Sequence, residues 1–240
     1  MNDLSCWETK FKYCCYSKRL LTKLLLLNKT AKSKINMLEI KKAIYYAKKY
    51  HNFQMRQSGE PYYSHPLEVA YNIADYIFET NILVTSILHD TIEDTVLTKE
   101  MIDCIFGSVI AEQVEALTRI KINEKISAGE LVDLLFKQER EDLLLIKYFD
   151  RLHNMQTISA KSYEKISKTV EETFKKFISL SIYLEASLPK LLKTNEDLLN
   201  LCCQQLLIKQ PYLSPYCVMK ISEDTFQLPF LTVQNEKFQN

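Results

Sequence analysis

The sequence predicts an all-α fold. Only three glycines and six prolines occur in 240 residues, too few turn-forming residues for a chain of many short strands. Apolar residues recur three and four apart along most of its length, the period of helices that bury one face. A hydrophobic fraction of 47% and a charged fraction of 25% suit a globular chain long enough to close a core. The net charge of +1 gives no reason to expect a nucleic-acid partner. The seven cysteines are odd in number and form no C-x-x-C, and two pairs are adjacent in sequence. They read as reduced thiols of a cytoplasmic protein, not as a disulfide framework or a zinc ribbon.

In chain order, residues 1–34 form a basic leader, in which eight lysines and arginines from Lys10 to Lys34 face only Asp3 and Glu8. Leu20-Leu21 and Leu24 to Leu27 make an apolar patch, far shorter than the roughly 20 residues of a membrane span. No small-residue cleavage site follows it, so no signal peptide is expected. A leader helix packed on the domain is the expected arrangement; contact with an anionic membrane is the alternative for such a basic segment. Helices are then expected over 35–50, with Ile35, Leu38, Ile44 and Ala47 inward, from Pro66 to about Phe78, and over 81–94. Gln57 to Tyr63, with Gly59 and Pro61, is a loop between the first two. Thr98 should cap a short helix ending at Gly107, and Ser108 the next, with Ile110, Val114 and Leu117 as its stripe. Lys121 to Gly129 reads as a loop. Helices follow over 130–138, 142–159 and 163–184, and a weaker one over 198–208. Phe226 to Val233 has strand-like composition but no partner strand.

The chemistry concentrates between His51 and Thr95, which holds three of the four histidines. There an apolar run, Ile82 to Leu88, leads into His89-Asp90-Thr91-Ile92-Glu93-Asp94. Carboxylates at the end of a buried segment are costly unless they neutralise a cation or do chemistry. His65, His89, Asp90 and Asp150 together offer two imidazoles and two carboxylates, a mixed set suited to a divalent first-row metal such as Mn, Fe, Co or Zn. If 81–94 is one helix, Glu93 and Asp94 lie a turn beyond His89 and Asp90, beside the ion and not on it. From there they can orient or deprotonate a water; solvated carboxylates at an exposed helix end are the plainer alternative. Asp150, Asn154, Thr157 and Lys161 recur at helical intervals, a polar stripe on an otherwise buried helix.

The motifs H-P-L-E-V-A (His65 to Ala70), L-H-D-T-I-E-D-T (Leu88 to Thr95) and I-K-Y-F-D-R-L-H-N-M (Ile146 to Met155), with R-x-S-G-E-P-Y (Arg56 to Tyr62) before them and Phe106-Gly107 between, resemble the HD-type hydrolase domain of RelA/SpoT homologues, the alarmone hydrolases. The likeness runs over roughly residues 35 to 185 and implies an all-helical HD bundle, with residues 186–240 as an extension of unassigned role. It implies manganese on His65, His89, Asp90 and Asp150, and water activation by Glu93 and Asp94. It also implies guanosine-nucleotide contacts from Arg56, Ser58, Asn154 and Thr157. The implied reaction removes the 3′-pyrophosphate of guanosine tetra- or pentaphosphate, leaving GDP or GTP. Arg56 is a planar cation that can stack on a purine, which a lysine does poorly. His51 and His153 match family histidines that are not ligands.

Three positions depart from the pattern. Gln57 replaces a lysine, Tyr148-Phe149 replace Leu-Ala and are expected to add bulk beside the site, and Gln156 replaces an arginine. They leave two alternatives open: an HD phosphohydrolase of another nucleotide such as NADPH, or a non-catalytic paralogue. The residues after Leu184 are too few for a synthetase domain, so pyrophosphate transfer from ATP is not expected of this chain.

Overall fold

The computed structural model describes residues 6–121 and 124–209. The chain divides into two compact units, Met1–Asp150 and Arg151–Asn240. Among the described residues the secondary structure is helical apart from one pair of two-residue strands.

In the first unit, helix α1 (Trp7–Lys10) precedes α2 (Cys15–Thr30), the leader helix. Leu20, Leu21 and Leu24 are buried, while Leu25 and Leu26 stay exposed. The leader's cations dock it. The Arg19 guanidinium and the Lys23 ammonium lie 4.1 and 3.9 Å from the centre of the Tyr71 ring. Arg19 also donates to both oxygens of Glu68, at 2.6 and 2.8 Å, and Lys23 reaches Asp75 at 2.6 Å. Charged heads on a ring face, with their stems over apolar surface, turn a basic stripe into an attachment. Among the described residues, no helix is long and apolar enough to cross a membrane.

Helix α3 (Met37–His51) is capped by Asn36, which accepts from the amides of Leu38 and Glu39. Leu38, expected inward, is exposed; two residues before Ile40, it points about 200° away from the buried Ile40–Ile44–Ala47 face. Helix α4 (Ser64–Ile73) starts two residues before Pro66, because proline lacks one of the first-turn amides that go unused anyway. It ends five residues early, where the amides of Tyr76 and Ile77 both turn back to the Ile73 carbonyl. Helix α5 (Thr80–Leu88) is buried from Ile82 to Leu88. It packs on α3, on α4 and on α8 (Ser108–Leu117). A short helix apolar all round is a central helix, and this one delivers its C-terminus to the site.

The helix expected over 81–94 breaks after Leu88, and α6 (Thr91–Asp94) begins after a turn at His89-Asp90. Side chains compete for its carbonyls: His89 Nδ1 lies 2.8 Å from the Ser86 carbonyl, and the Thr91 hydroxyl donates to that of Leu88 at 2.6 Å. Helix α7 (Lys99–Phe106) starts at its Thr98 cap and stops at Gly107, whose φ of 89° few other residues adopt. Gly107, not Ser108, is also the residue that precedes α8. Part of the expected loop after α8 is a hairpin, β1 (Ile120–Lys121) pairing antiparallel with β2 (Glu124–Lys125). Helix α9 (Ala128–Lys137) opens on a capping box of Ser127 and Glu130, and α10 (Glu141–Gln156) carries Asp150.

The second unit starts within α10. Thr157 and Lys161 are outside that helix: Thr157 Oγ1 donates to the His153 carbonyl at 3.1 Å, and the chain tightens into a 3-10 turn, Ile158–Ala160. The stripe read from their spacing therefore ends with Asn154. Helix α11 (Tyr163–Glu172) passes through a π turn, Thr173–Phe177, into α12 (Ile178–Ser187). Arg151 ties this stretch together, donating to Glu172 at 2.5 Å and lying 4.2 Å above the Phe177 ring. Helix α13 (Leu192–Lys209) follows and is longer than expected. Phe226 to Val233 lies outside the described residues.

Candidate metal centre

Four side chains meet where α4, α5 and α10 present their polar residues. His65 Nε2 lies 3.1 Å from Asp150 Oδ1 and 3.6 Å from Asp90 Oδ2, and His89 Nε2 lies 3.1 Å from Asp90 Oδ1. Potential ligand atoms of His65, His89 and Asp150 all fall within 4.8 Å of one another. Both histidines are buried, and their rings are 5.4 Å apart.

The donor set fits a cation. The Ser86 carbonyl can only accept, so the proton of His89 sits on Nδ1 and Nε2 presents a bare lone pair. That Nε2 is buried without a hydrogen-bond partner, facing a carboxylate oxygen. Two acceptors opposed at 3.1 Å in a buried site repel unless a proton or a metal lies between them. A histidine whose second nitrogen is anchored to a backbone carbonyl is the usual arrangement around a metal. Burial lowers the pKa of His65 more than its bond and charge contact with Asp150 raise it, which favours the neutral imidazole, the form that ligates a metal. Asp150 is held well below the ordinary carboxylate range: burial pushes it up, but the Lys147 ammonium and His65 outweigh that.

Two carboxylates flank the centre in opposite environments. Glu93 has a side chain only 6% exposed. Its Oε1 accepts from Arg119 Nη2 at 2.5 Å and meets Lys125 Nζ at 2.8 Å. Its Oε2 accepts from Arg119 Nε and from the Arg119 amide, both at 3.2 Å. Burial alone would raise its pKa, but these cations override burial and hold it at about 2. Asp94 is exposed and is shifted upward, first by partial burial and then by the charges of Asp90 and Glu93. The Tyr62 hydroxyl donates to Asp94 Oδ2 at 2.5 Å, opposing that shift, and lies 3.4 Å from Asp90 Oδ2.

Tyr62 ends the loop that carries Arg56 and Ser58. The loop is pinned across its base: the Tyr62 amide donates to the Gln54 carbonyl at 2.9 Å and the Arg56 amide to that of Glu60 at 2.8 Å, with Gly59 at φ 87°. The Gln54 side-chain amide in turn donates through Nε2 to the Asp94 carbonyl at 2.8 Å, and its Oε1 meets His51 Nδ1 at 2.8 Å. His51 thus braces the loop, its ring stacked 4.8 Å from Tyr62. Asn154 stands on the last turn of α10, and Thr157 follows its end, both in the second unit. Tyr148 and Phe149 directly precede Asp150 on α10. Both are core residues, with Phe149 packed 5.2 Å from the Tyr76 ring.

Sequence reasoning gave no role to Tyr62, Arg119, Lys125 or Lys147. Tyr62 and Lys147 lie inside the recognised motifs. Arg119 and Lys125 carry no local pattern, because a cation whose partner, Glu93, lies far away along the chain leaves no periodic trace.

Residues 43–182, more than half of the chain, match the HD domain family. Among curated proteins, the chain is 40% identical over 148 residues to a GTP pyrophosphokinase of Brucella ovis, covering 59% of this chain and 20% of that one. It is 38% identical over 146 residues to a guanosine-3′,5′-bis(diphosphate) 3′-pyrophosphohydrolase of Aquifex aeolicus, covering 60% and 21%. The chain thus spans about a fifth of the length of these relatives. A solved structure described as a metazoan ortholog of SpoT that hydrolyzes ppGpp shares the fold, at a TM-score of 0.52 and 21% identity, over 72% of this chain and 96% of that one.

Proposed function

The chain belongs to the HD domain family, and we propose that it hydrolyses the 3′-pyrophosphate of guanosine tetra- and pentaphosphate with the help of a divalent metal, manganese by preference. The observation that carries this reading is the convergence of His65, His89, Asp90 and Asp150, with the bare lone pair of His89 turned inward. The names of the relatives support the substrate.

His65, His89, Asp90 and Asp150 would hold a divalent ion, which would supply Lewis-acid polarisation of the phosphate and make a water more acidic. Water adds to the phosphorus bonded to the ribose 3′ oxygen, that P–O bond breaks, and the 3′ oxygen takes up a proton. Asp94 is the better base of the flanking pair. Its pKa is raised, it is exposed, and one oxygen is steadied by Tyr62 while the other remains open to a water. Glu93 is a poor proton acceptor while two cations occupy it. Arg56 and Ser58, on the braced loop, are proposed to hold the guanine end.

Purified protein with Mn²⁺ should release pyrophosphate from ppGpp, and Asp90→Ala or His65→Ala should reduce turnover to background. NADPH assayed in parallel decides between nucleotides by kcat/KM. Absence of turnover of ppGpp with Mn²⁺, Mg²⁺, Co²⁺ and Zn²⁺ would overturn the proposal.

A further inference from the structure

We propose that Arg119, held in place by Glu93, is the cation that binds the departing pyrophosphate. The inference rests on the hydrolase reading and adds to it a phosphate-binding residue and a positioning role for Glu93.

The contacts separate two edges of one guanidinium. Glu93 accepts from Nε and Nη2, which fixes the plane of the fork, and the Arg119 amide adds a third bond to the same carboxylate. Among the described residues Nη1 has no hydrogen-bond partner, and the side chain is 35% exposed. One edge is therefore clamped and the other presented. The backbone is fixed as well. The Thr118 hydroxyl donates to the Val114 carbonyl at 3.0 Å at the end of α8. The Arg119 carbonyl accepts from the Ile126 amide at 3.0 Å across the hairpin. A planar fork already ordered on one side loses little freedom when its other side takes two phosphate oxygens.

The charge of the site calls for such a group. Asp90, Asp94 and Asp150 crowd the place where a polyanion must enter, and a bound divalent ion offsets only part of that charge. Lys147 is buried and committed to Asp150 at 2.5 Å. Lys125 reaches Glu93 as well, but its side chain is 57% exposed and it has no fork. Arg119 interacts electrostatically with Asp150 and Asp90, so a polyanion drawn to the same carboxylates by a cation would be within reach of its field. Glu93 with all its donors in place is built as an anchor for this arginine.

The test uses the full chain with Mn²⁺ and compares Arg119→Ala, Arg119→Lys, Glu93→Gln and the Arg119→Ala/Glu93→Gln double variant, each assayed well below its own melting temperature. Arg119→Ala should lower kcat/KM for ppGpp by about 10²–10³-fold, the usual loss for one preorganised charge-stabilising donor. Arg119→Lys, which keeps charge without the fork, should lose less. Inorganic pyrophosphate should inhibit Arg119→Ala at least tenfold more weakly, and added guanidinium ion should restore part of its rate. The double variant should be no worse than Arg119→Ala alone, because Glu93 acts through Arg119. Undiminished kcat/KM or unchanged pyrophosphate inhibition in Arg119→Ala would overturn the inference, and so would multiplicative losses in the double variant, which make Glu93 an independent participant. Pyrophosphate binding measured by calorimetry separates the two claims. A wild type without turnover defeats the hydrolase reading, whereas binding that survives Arg119→Ala defeats this one.

Discussion

Asp150 has two duties, and replacing it by alanine should expose both. Its Oδ1 faces His65 in the candidate metal site, and its Oδ2 accepts from Lys147 Nζ at 2.5 Å. The Lys147 side chain is 6% exposed, and Asp150 is its ion-pair partner. Removing the carboxylate strands an ammonium in the core, a change that costs about 3–5 kcal/mol. For a chain of this size about 2–4 °C of melting temperature goes with each kcal/mol, so Asp150→Ala should melt roughly 6–20 °C below wild type in EDTA. The Lys147→Met/Asp150→Ala double variant removes both charges, and exchanging a buried pair for apolar groups is often neutral. It should recover most of the loss. Metal then separates the second duty. Wild type at a hundredfold excess over Kd should gain about 2.7 kcal/mol, while the single and double variants, short of a ligand, should gain much less. Differential scanning calorimetry with EDTA and with Mn²⁺ reads all of this. A single variant melting within about 2 °C of wild type in EDTA, or a double variant as unstable as the single, would refute the argument.

Glu93 gives the acid behaviour a direction. Its folded pKa of about 2 lies below the ordinary 4.5, so the stability it contributes is complete above pH 4.5 and is lost as pH falls through about 2; Glu93→Gln should flatten urea-denaturation stability across that window. Tyr62→Phe removes the hydroxyl on Asp94 and should lower kcat about 10–100-fold, the usual cost of losing an outer partner of a metal site, with no change in circular dichroism. In the leader, Leu24→Ala should cost about 2–5 kcal/mol because Leu24 is fully buried, whereas Leu25→Ala, at an exposed position, should stay within about 0.5 kcal/mol. Thiol labelling of the folded protein should modify exposed Cys6, Cys15 and Cys104 and spare Cys202, which is buried with its pKa pushed up to about 12.

Helix type and order were legible because each buried face keeps its period: Ile110, Val114 and Leu117 are buried on α8 as spaced. Caps were legible where chemistry is local, as at Thr98 and Gly107. Elements were misread where side chains took backbone partners. The break at His89-Asp90 depends on an imidazole and a hydroxyl claiming carbonyls, and neither residue type announces that in a helical pattern. The hairpin after α8 was hidden for another reason, since two-residue strands are too short to alternate. At the site, the motifs located the four residues that converge, but the cations that determine what Glu93 can do come from a segment without a motif.

The turn at His89-Asp90 explains why adjacent carboxylates acquire different chemistry. α6 is a single turn, so Glu93 and Asp94 point about 100° apart. One direction leads to Arg119 and the hairpin, the other to Tyr62 and the loop of Arg56. Groups whose environments drive their pKa values apart can divide acid–base labour between them, and the division proposed here would follow from which segment each carboxylate faces. Exchanging the pair, Glu93→Asp with Asp94→Glu, keeps the charge and both functional groups but alters both reaches by one methylene. If placement governs, this variant should lose more than tenfold in kcat while its melt stays within a few degrees of wild type, because the shorter Asp at 93 draws back from Arg119 and the longer Glu at 94 displaces the base from its seat on Tyr62. Retention of full kcat would show that the two segments do not fix those reaches.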